Sequence, residues 1–306
     1  MANFTHVTSE NTECCILTLF VHNVCNFKCS YCNALHNSGS NKWPGDIAPY
    51  LELIRRLRES NSHIFVEILG GEPTYWPKFE EFLDRLAAPD VFFEFGTNAS
   101  RPLSYWRAFR ERPQFISLSW HAEEIDDDHF VAVAAELQGK ASVHATLMTL
   151  PDSFNRAQKM FERLRGLDIS VAPKLVRLNL GDERYFEYAP EQVKWITETN
   201  HNRRRALGIA WPMPERLHFD ATPLSFMKVV HRRMNHFRGW TCSAGQRRLY
   251  VDLQGDIYRC TQREGVALGN IFGSYDLPRK PVVCSRQTCP CKFDALVEKW
   301  SPQWTR

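Results

Sequence analysis

Short apolar segments alternate with longer amphipathic segments through the first two thirds of the chain. The amphipathic segment 77–88 begins with Pro and acidic residues and then repeats apolar residues at intervals of three and four, as a helix does. Six pairs of one predicted strand and one predicted helix follow each other along the chain. They predict a parallel sheet that right-handed crossovers close into a full or partial barrel. The predicted strands are 16–22, 64–69, 91–95, 115–119, 142–148 and 169–176, and the predicted helices are 47–59, 77–88, 102–111, 126–138, 153–166 and 190–206.

The alternating pattern fades at 207–225, a segment rich in Pro and aromatic residues. Beyond it, 247–261 holds two alternating runs joined across Gln-Gly-Asp, which predicts a β-hairpin. We therefore predict an α/β chain in which 1–206 form a partial (β/α)6 barrel resembling a TIM barrel. Residues 207–306 are predicted to form a small α+β domain.

Composition limits the function classes. Of the 306 residues, 43% are hydrophobic and 24% are charged, as in ordinary globular proteins. No uncharged apolar run of about 18 residues occurs, and the N-terminus lacks the basic start and apolar core of a signal peptide. These features predict a cytoplasmic protein without a membrane segment. The net charge of +3 does not require a polyanionic partner, so the basic and aromatic segments 200–212 and 231–240 leave nucleic acid as a less favoured partner.

The ten cysteines fall into groups. A reducing compartment keeps thiols free rather than paired as disulfides, and the grouping of these cysteines favours metal binding. One group is Cys25, Cys29 and Cys32, and the other is Cys242, Cys260, Cys284, Cys289 and Cys291. Cys14 and Cys15 precede the first predicted strand, at the barrel end opposite the chemistry, and are predicted to be buried as small hydrophobic residues.

The first cysteine group lies in the loop after the first predicted strand, at the end of a barrel where βα loops build active sites. Three thiolates on a [4Fe–4S] cluster leave one iron free to bind a substrate or cofactor. The alternatives are a zinc site completed by His22 or His36, and reactive cysteines without a metal.

The sequence "CNFKCSYC" fits CxxxCxxC with an aromatic residue before the third cysteine, and "ILGGEPTYW" follows the second predicted strand. Together these motifs resemble those of radical S-adenosylmethionine (SAM) enzymes. The resemblance implies a [4Fe–4S] cluster on Cys25, Cys29 and Cys32 that binds SAM through its open iron. It also implies cofactor-binding roles for seven further residues. They are Gly70, Gly71, Glu72 and Pro73 at the methionine amino group, Asn98 and Ser119 in the pocket wall, and Tyr31 near the adenine.

The implied chemistry is reductive cleavage of SAM to a 5′-deoxyadenosyl radical, which abstracts a hydrogen atom from a substrate. An electron donor of the flavodoxin or ferredoxin type is expected. In the C-terminal region, the spacing from Cys242 through Gly255 to Cys260 resembles the start of SPASM and twitch domains, which carry auxiliary [4Fe–4S] clusters. Five cysteines fit the shorter, one-cluster twitch type, with Cys242 and Cys260 completed by two of Cys284, Cys289 and Cys291. The alternative is a structural zinc ribbon.

The substrate stays open at this point. Because the first predicted strand begins near the start of the chain, without room for a leader-binding domain, a polar small molecule is favoured over a ribosomally made peptide. A nucleotide or base in nucleic acid is a third alternative, and a zinc-binding interaction module is the non-enzymatic one. Dehydrogenation, rearrangement, epimerisation and crosslinking all remain possible. Residues near strand ends that could face the barrel mouth are Glu94, His121, His144, Lys174 and Arg177, the last two suiting an anionic substrate group.

Overall fold

The computed structural model describes residues 5–9, 14–112, 114–179, 184–199, 216–220, 222–263 and 265–303. Its strands are β1 (His6–Ser9), β2 (Cys14–Phe20), β3 (His63–Leu69), β4 (Val91–Thr97), β5 (Phe115–His121), β6 (Ser142–Thr149), β7 (Ser170–Leu175), β8 (Arg216–Phe219), β9 (Thr222–Ser225), β10 (Thr241–Cys242), β11 (Arg248–Val251), β12 (Ile257–Tyr258), β13 (Val282–Val283) and β14 (Lys299–Trp300). Its helices are α1 (Ala34–Asn37), α2 (Ala48–Arg58), α3 (Phe79–Leu86), α4 (Leu103–Ala108), α5 (Asp127–Gln138), α6 (Phe154–Gly166), α7 (Pro190–Glu198), α8 (Phe226–His231) and α9 (Lys292–Leu296).

The larger sheet has the strand order β12-β11-β2-β3-β4-β5-β6-β7. Strands β2 to β7 are parallel and adjacent in chain order, and helices lie in every crossover between them. The predicted partial (β/α)6 barrel is therefore confirmed. Its last helix, α7, ends at Glu198, and the predicted continuation over 200–206 lies outside the described residues.

Side-chain alternation along the strands gives the sheet two different faces. In β5, Ile116, Leu118 and Trp120 are fully buried in the apolar core that the sheet shares with the helices. Ser117, Ser119 and His121 point to the other side, toward the barrel lumen, and are only partly buried. The same alternation in β6 and β7 leaves a polar inner face within an apolar outer layer.

The predicted hairpin is confirmed: β11 and β12 are antiparallel, with Tyr250 opposite Tyr258. Gly255 makes the turn possible, because its φ is +83° and an added Cβ would overlap the ring of Phe272 at 2.6 Å. The sequence did not predict where the hairpin lies. β11 pairs in parallel with β2, opposite Ile16 to Leu19, so the hairpin extends the barrel's own sheet.

A second sheet has the order β13-β10-β14-β1-β8-β9 and is antiparallel. It takes β1 from the start of the chain, which the sequence did not predict. A shared apolar cluster joins this sheet, α8 and α9 to the lower inner face of the barrel, for example Phe219 and Val229 with Phe65. Residues before and after 206 thus share both sheets, and the predicted domain boundary, which lies outside the described residues, stays a prediction.

Cys14 and Cys15 are buried, with 5% and 0% of their surfaces exposed. They belong to β2 itself, whereas the sequence suggested that they precede the strand. Burial raises the pKa of each thiol to about 12, so both remain neutral and pack as small hydrophobic groups. Within the described part of the chain, no helix combines the length and apolar content needed to cross a membrane.

Two adjacent valines of α8 test how firmly the C-terminal region packs on the barrel. Val229 is fully buried and Val230 is 38% exposed. We expect Val229→Ala to lower the free energy of unfolding by about 2 kcal/mol, because it removes buried methyl groups and leaves a cavity. Val230→Ala should change it by less than about 0.5 kcal/mol. Urea unfolding followed by circular dichroism measures both, and equal effects would contradict the packing described.

Candidate active site

The first cysteine group lies on the loop that leaves the carboxyl end of β2. Cys29 is buried, Cys25 and Cys32 are partly buried, and the Cys32 N–H donates to the Cys29 carbonyl at 3.0 Å. Burial raises the pKa of the Cys25 thiol to about 11 and that of Cys29 to about 12, and also raises the pKa of Cys32. The thiols are thus neutral until a cation binds them.

Two acidic residues after β5 hold this loop in place. The backbone N–H of Lys28 donates to Glu124 at 2.8 Å, and Ser30 donates to Glu123 from its N–H at 2.7 Å and from its hydroxyl at 2.6 Å. Both bonded amides lie between the first and third cysteines. The sequence analysis missed these acids, although two adjacent glutamates directly after a barrel strand were a usable signal.

The GGEP segment, 70–73, runs beside the residues that precede Cys25. The N–H of Gly71 donates to His22 and that of Glu72 to Val24, each at 2.8 Å. A Cβ on Gly71 would lie 2.2 Å from the Val24 carbonyl oxygen, so no other residue fits there. The contact with Gly70 is less close, since its Cβ would lie 3.1 Å from the His22 oxygen. Two sequence motifs far apart in the chain are thereby joined by backbone pairing.

The carboxylate of Glu72 lies inside the protein, with only 1% of the residue exposed. Its Oε1 accepts from the Thr74 and Thr97 hydroxyls at 2.6 and 2.7 Å and from the Thr74 N–H at 3.3 Å. Among the residues that the structure describes, its Oε2 accepts from the Asn98 N–H alone, at 2.6 Å. Burial raises the pKa of Glu72, and these four hydrogen bonds oppose that rise. Pro73, also buried, follows and starts a short turn.

Asn98 lies against the cysteine loop. Its side-chain amide donates to Asn26 Oδ1 at 3.1 Å and lies 3.8 Å from the Cys25 sulfur. The next residue, Ala99, has a φ of +61°, in the left-handed region. The Asn98 side chain also accepts from the Ser100 N–H at 3.0 Å, which closes the turn. The structure therefore brings together Asn98, the cysteine loop and Glu72.

Tyr31 contacts the end of β5. Its hydroxyl lies 2.7 Å from Nδ1 of His121, and the two rings are stacked with centroids 6.0 Å apart. Burial lowers the pKa of His121 to about 4, so this imidazole is neutral at pH 7. Ser119 lies two residues earlier on the same lumen-facing side. His121 was only one of several strand-end candidates in the sequence, and its contact with Tyr31 distinguishes it.

The remaining strand-end candidates also face the lumen where the structure gives their direction. His144 bonds to Ser170 at 2.9 Å across β6 and β7, which fixes the inner side of both strands. Lys174 is on the same side of β7 and is exposed, and desolvation of its ammonium group together with the nearby charge of Arg177 lowers its pKa. Glu94 pairs in register with Glu67 on β3. The inner wall thus carries charge of both signs.

The C-terminal cysteines lie in one region. Cys242 in β10 is opposite Val282 of β13, and Cys284 follows that strand and packs beside Cys242. Cys289 is close enough to Cys242 and Cys291 for their charges to affect its pKa, which burial raises well above its usual value. Cys260 ends the hairpin, and its neighbour Thr261 donates to Asp294 of α9, three residues after Cys291.

The donor chemistry of the first group fits an iron–sulfur cluster with one open iron, because one loop carries three soft sulfur ligands and the next cysteine in the sequence is Cys242. His22, one of the two histidines of the zinc alternative, is fully buried. Its Nδ1 accepts from the Val24 N–H at 3.1 Å. Among the described residues, no three side chains of His, Cys, Asp or Glu are arranged as a site for a single metal ion.

The family model described as the radical SAM superfamily matches residues 19–196. Among solved structures, native anSMEcpe with bound AdoMet and Kp18Cys peptide is similar, with a TM-score of 0.55 and 17% identity over 86% of this chain and 79% of that one. SuiB of Streptococcus suis, bound to the precursor peptide SuiA, has a TM-score of 0.56 and 14% identity over 86% of this chain and 64% of its own. This chain therefore spans less than two thirds of SuiB. No curated protein matches the chain.

The lumen carboxylate Glu67 makes stability depend on pH. It accepts from the Thr18 hydroxyl, and burial raises its pKa to about 7, with Glu94 adding to the rise and Arg248 opposing it. The native state therefore binds this proton more tightly than the unfolded state, and its stability falls as pH rises from about 4.5 to 7.

Replacing the Glu67 carboxyl by an amide should remove this pH dependence of stability, because an amide has no charge to desolvate. We expect the difference in unfolding free energy between Glu67→Gln and the unaltered chain to change by about 1–3 kcal/mol in favour of the variant from pH 5 to pH 8. Urea midpoints at several pH values measure the change. Glu162→Gln, on an exposed residue of α6, serves as the control and should follow the unaltered chain. Parallel profiles for all three proteins would show that Glu67 titrates normally.

Proposed function

Because the chain belongs to the radical SAM superfamily, we propose that Cys25, Cys29 and Cys32 hold the [4Fe–4S] cluster with which this enzyme cleaves SAM. When bound, the cluster supplies the electron that splits SAM into methionine and a 5′-deoxyadenosyl radical, and that radical takes a hydrogen atom from the substrate. The backbone pairing of Gly71 and Glu72 with the segment before Cys25 is the observation that carries the residue assignment.

The GGEP segment contributes the wall against which the methionine part of SAM binds. Gly70 and Gly71 have no side chains to keep a ligand away from the backbone. Glu72 holds the segment through its four hydrogen bonds, and they are unequally divided: Oε1 accepts three and Oε2 one. The remaining acceptor capacity of Oε2 suits the ammonium group of the cofactor. Pro73 and Asn98 fix the two ends of this arrangement.

Tyr31 and Ser119 contribute the adenine side. The hydrogen bond to neutral His121 holds the Tyr31 ring at a fixed angle beside the cysteine loop. Ser119 presents a hydroxyl from the neighbouring part of β5. Neither residue changes charge near pH 7, since burial raises the pKa of Tyr31 far above its usual value. This side of the pocket therefore orients the cofactor without taking part in proton transfer.

The substrate of this proposal is a polar small molecule bound in the lumen. The inner wall offers hydroxyl, imidazole, carboxylate and ammonium groups from successive strands, for which a sugar or amino sugar has matching donors and acceptors. A residue of a peptide is the second candidate. It is favoured by the similarity in fold to anSMEcpe and SuiB, whose structures contain the Kp18Cys peptide and the SuiA precursor peptide. Candidate compounds of both classes can be compared by how much each stimulates 5′-deoxyadenosine formation.

The C-terminal cysteines form the proposed auxiliary [4Fe–4S] site. Cys242 and Cys291 are both close enough to Cys289 to act on it electrostatically, Cys284 packs beside Cys242, and Cys260 is connected to the same region through Thr261. Four of these five would complete a cluster. Such a site, beside the inner face of the barrel, suits a role as acceptor of the electron left on the substrate after hydrogen abstraction. The external reductant of the flavodoxin or ferredoxin type also stays a prediction.

Cysteine variants test the division between the two groups. The anaerobically reconstituted chain should hold about eight irons, in two clusters of four. Changing Cys25, Cys29 and Cys32 together to Ala should remove about half of the iron and abolish 5′-deoxyadenosine formation under dithionite, because no open iron remains. Changing Cys242 and Cys260 to Ala should also remove about half of the iron but leave cofactor cleavage.

Cys14→Ala is the control, since this cysteine is buried in β2 and should leave both the iron content and the cleavage unchanged. Continued 5′-deoxyadenosine formation by the triple variant would contradict the assignment of the cluster ligands. Zinc at one or two per chain in place of iron would favour the zinc alternative.

Glu72→Gln tests the cofactor wall. The amide keeps the size of the side chain but directs N–H groups at backbone donors and removes the negative charge. We expect a loss of about 1–3 kcal/mol in unfolding free energy, together with SAM binding that is about tenfold weaker. Calorimetric titration with SAM and urea unfolding measure the two effects. Glu52→Gln, on the exposed side of α2, is the matched control. Wild-type SAM affinity in a folded, iron-loaded Glu72→Gln variant would remove the proposed ammonium contact.

A further inference from the structure

Arg248 is a cation enclosed between the barrel and the C-terminal region. It lies in β11, beside β2, and none of its surface is exposed. Its Nε donates to Asp294 Oδ1 at 2.8 Å, and its Nη1 donates to the Thr18 hydroxyl at 2.7 Å and the Leu249 carbonyl at 2.9 Å. The side chain is therefore fixed by contacts with β2, β11 and α9. A buried arginine held in this way has no freedom to reach solvent.

One nitrogen of the guanidinium, Nη2, is buried, and among the described residues nothing accepts a hydrogen bond from it. Guanidinium carries five N–H donors, and leaving buried donors unpaired is costly in free energy. Such a donor in an otherwise well-bonded side chain indicates a ligand that the protein binds at this position.

The C-terminal cysteine group is connected to Arg248 through Asp294. Asp294, which accepts from Arg248, also accepts from the N–H and hydroxyl of Thr261, next to Cys260. Cys291 stands at the start of the same helix, close enough to Arg248 for each to affect the other's pKa. Arg248 therefore lies near Cys291 and is connected through Asp294 to Thr261, the residue after Cys260.

A second buried cation lies in β14, which follows α9 in the chain. Lys299, 1% exposed, donates from Nζ to the carbonyls of Asp294, Ala295 and Val297 at 2.8–3.1 Å, and its charge acts on Cys289. The acidic groups facing Arg248 are Asp294 directly, and Glu67 through Thr18. An anionic cluster with cysteine thiolate ligands, buried at this place, would gain compensating positive charge from the arginine and the lysine.

We infer that Arg248 is a positioning residue for the auxiliary cluster, donating from Nη2 to a sulfur of the cluster or its ligands and raising the cluster's reduction potential. The inference rests on the auxiliary site of the proposed function. Hydrogen bonds to sulfur and nearby positive charge favour the reduced, more negative state of an iron–sulfur cluster, and so set its potential. Because Arg248 also reaches Thr18 in β2, the same side chain connects the cluster region to the barrel wall.

The test isolates the auxiliary cluster by using the full chain with Cys25, Cys29 and Cys32 changed to Ala. In this background the midpoint potential is measured by a redox titration monitored by electron paramagnetic resonance, with iron counted per chain. We expect Arg248→Gln to shift the potential to a more negative value and Asp294→Asn to a more positive one. Arg248→Lys should give a smaller negative shift, since it keeps the charge and loses the forked donor. Arg165→Gln, exposed on α6, is the control and should leave the potential unchanged.

Shifts of opposite sign for Arg248→Gln and Asp294→Asn would support the inference, since a merely structural role would not reverse its sign with the charge removed. An unchanged potential in Arg248→Gln with iron retained would overturn it. If Arg248→Gln loses its iron, the potentials of Arg248→Lys and Asp294→Asn decide: shifts of opposite sign support the inference, and unchanged potentials overturn it. Absence of iron from the triple cysteine background, without any change at Arg248, would instead overturn the proposed auxiliary site.

Discussion

Three backbone hydrogen bonds hold the two halves of the candidate active site in register. The N–H of Val21 donates to Leu69, that of Gly71 to His22, and that of Glu72 to Val24, so the pairing of β2 with β3 continues beyond both strands. The cysteine loop and the GGEP segment therefore start from a rigid common edge. The contacts of Glu123 and Glu124 then hold the cysteine loop from its other side.

The inner face of the barrel is divided along the strands. Its lower part is apolar and covered by the second sheet with α8 and α9, whereas its upper part is polar and open toward the cysteine loop. Arg248 and Glu67 lie at the transition between these parts, joined through Thr18. The C-terminal region thus serves both as the floor of the lumen and as the support for a second group of cysteines.

The sequence predicted the barrel well because each strand and helix carries its own periodic pattern. The six strands and helices appear where expected, within a few residues at their ends, apart from the predicted end of the last helix, which lies outside the described residues. The cysteine and GGEP motifs could also be found because each is contiguous. The long-range contacts could not be predicted. The acids that hold the cysteine loop lie more than 90 residues from it in sequence, and Arg248 bonds to Thr18 across 230 residues. Such pairs leave no local pattern, and neither does the parallel pairing of β11 with β2.

The position of β11 has a consequence for the order in which the chain can fold. During synthesis, β2 to β7 emerge and can pair as a unit, but the free edge of β2 stays without its neighbour until residue 248 has been made. Likewise β1 must wait for β14, almost 300 residues later. Unpaired strand edges invite intermolecular association, and contacts so distant in sequence slow folding. The nascent barrel therefore exposes unpaired strand edges until the C-terminal region has been made, and the C-terminal cysteines can come together only after that point.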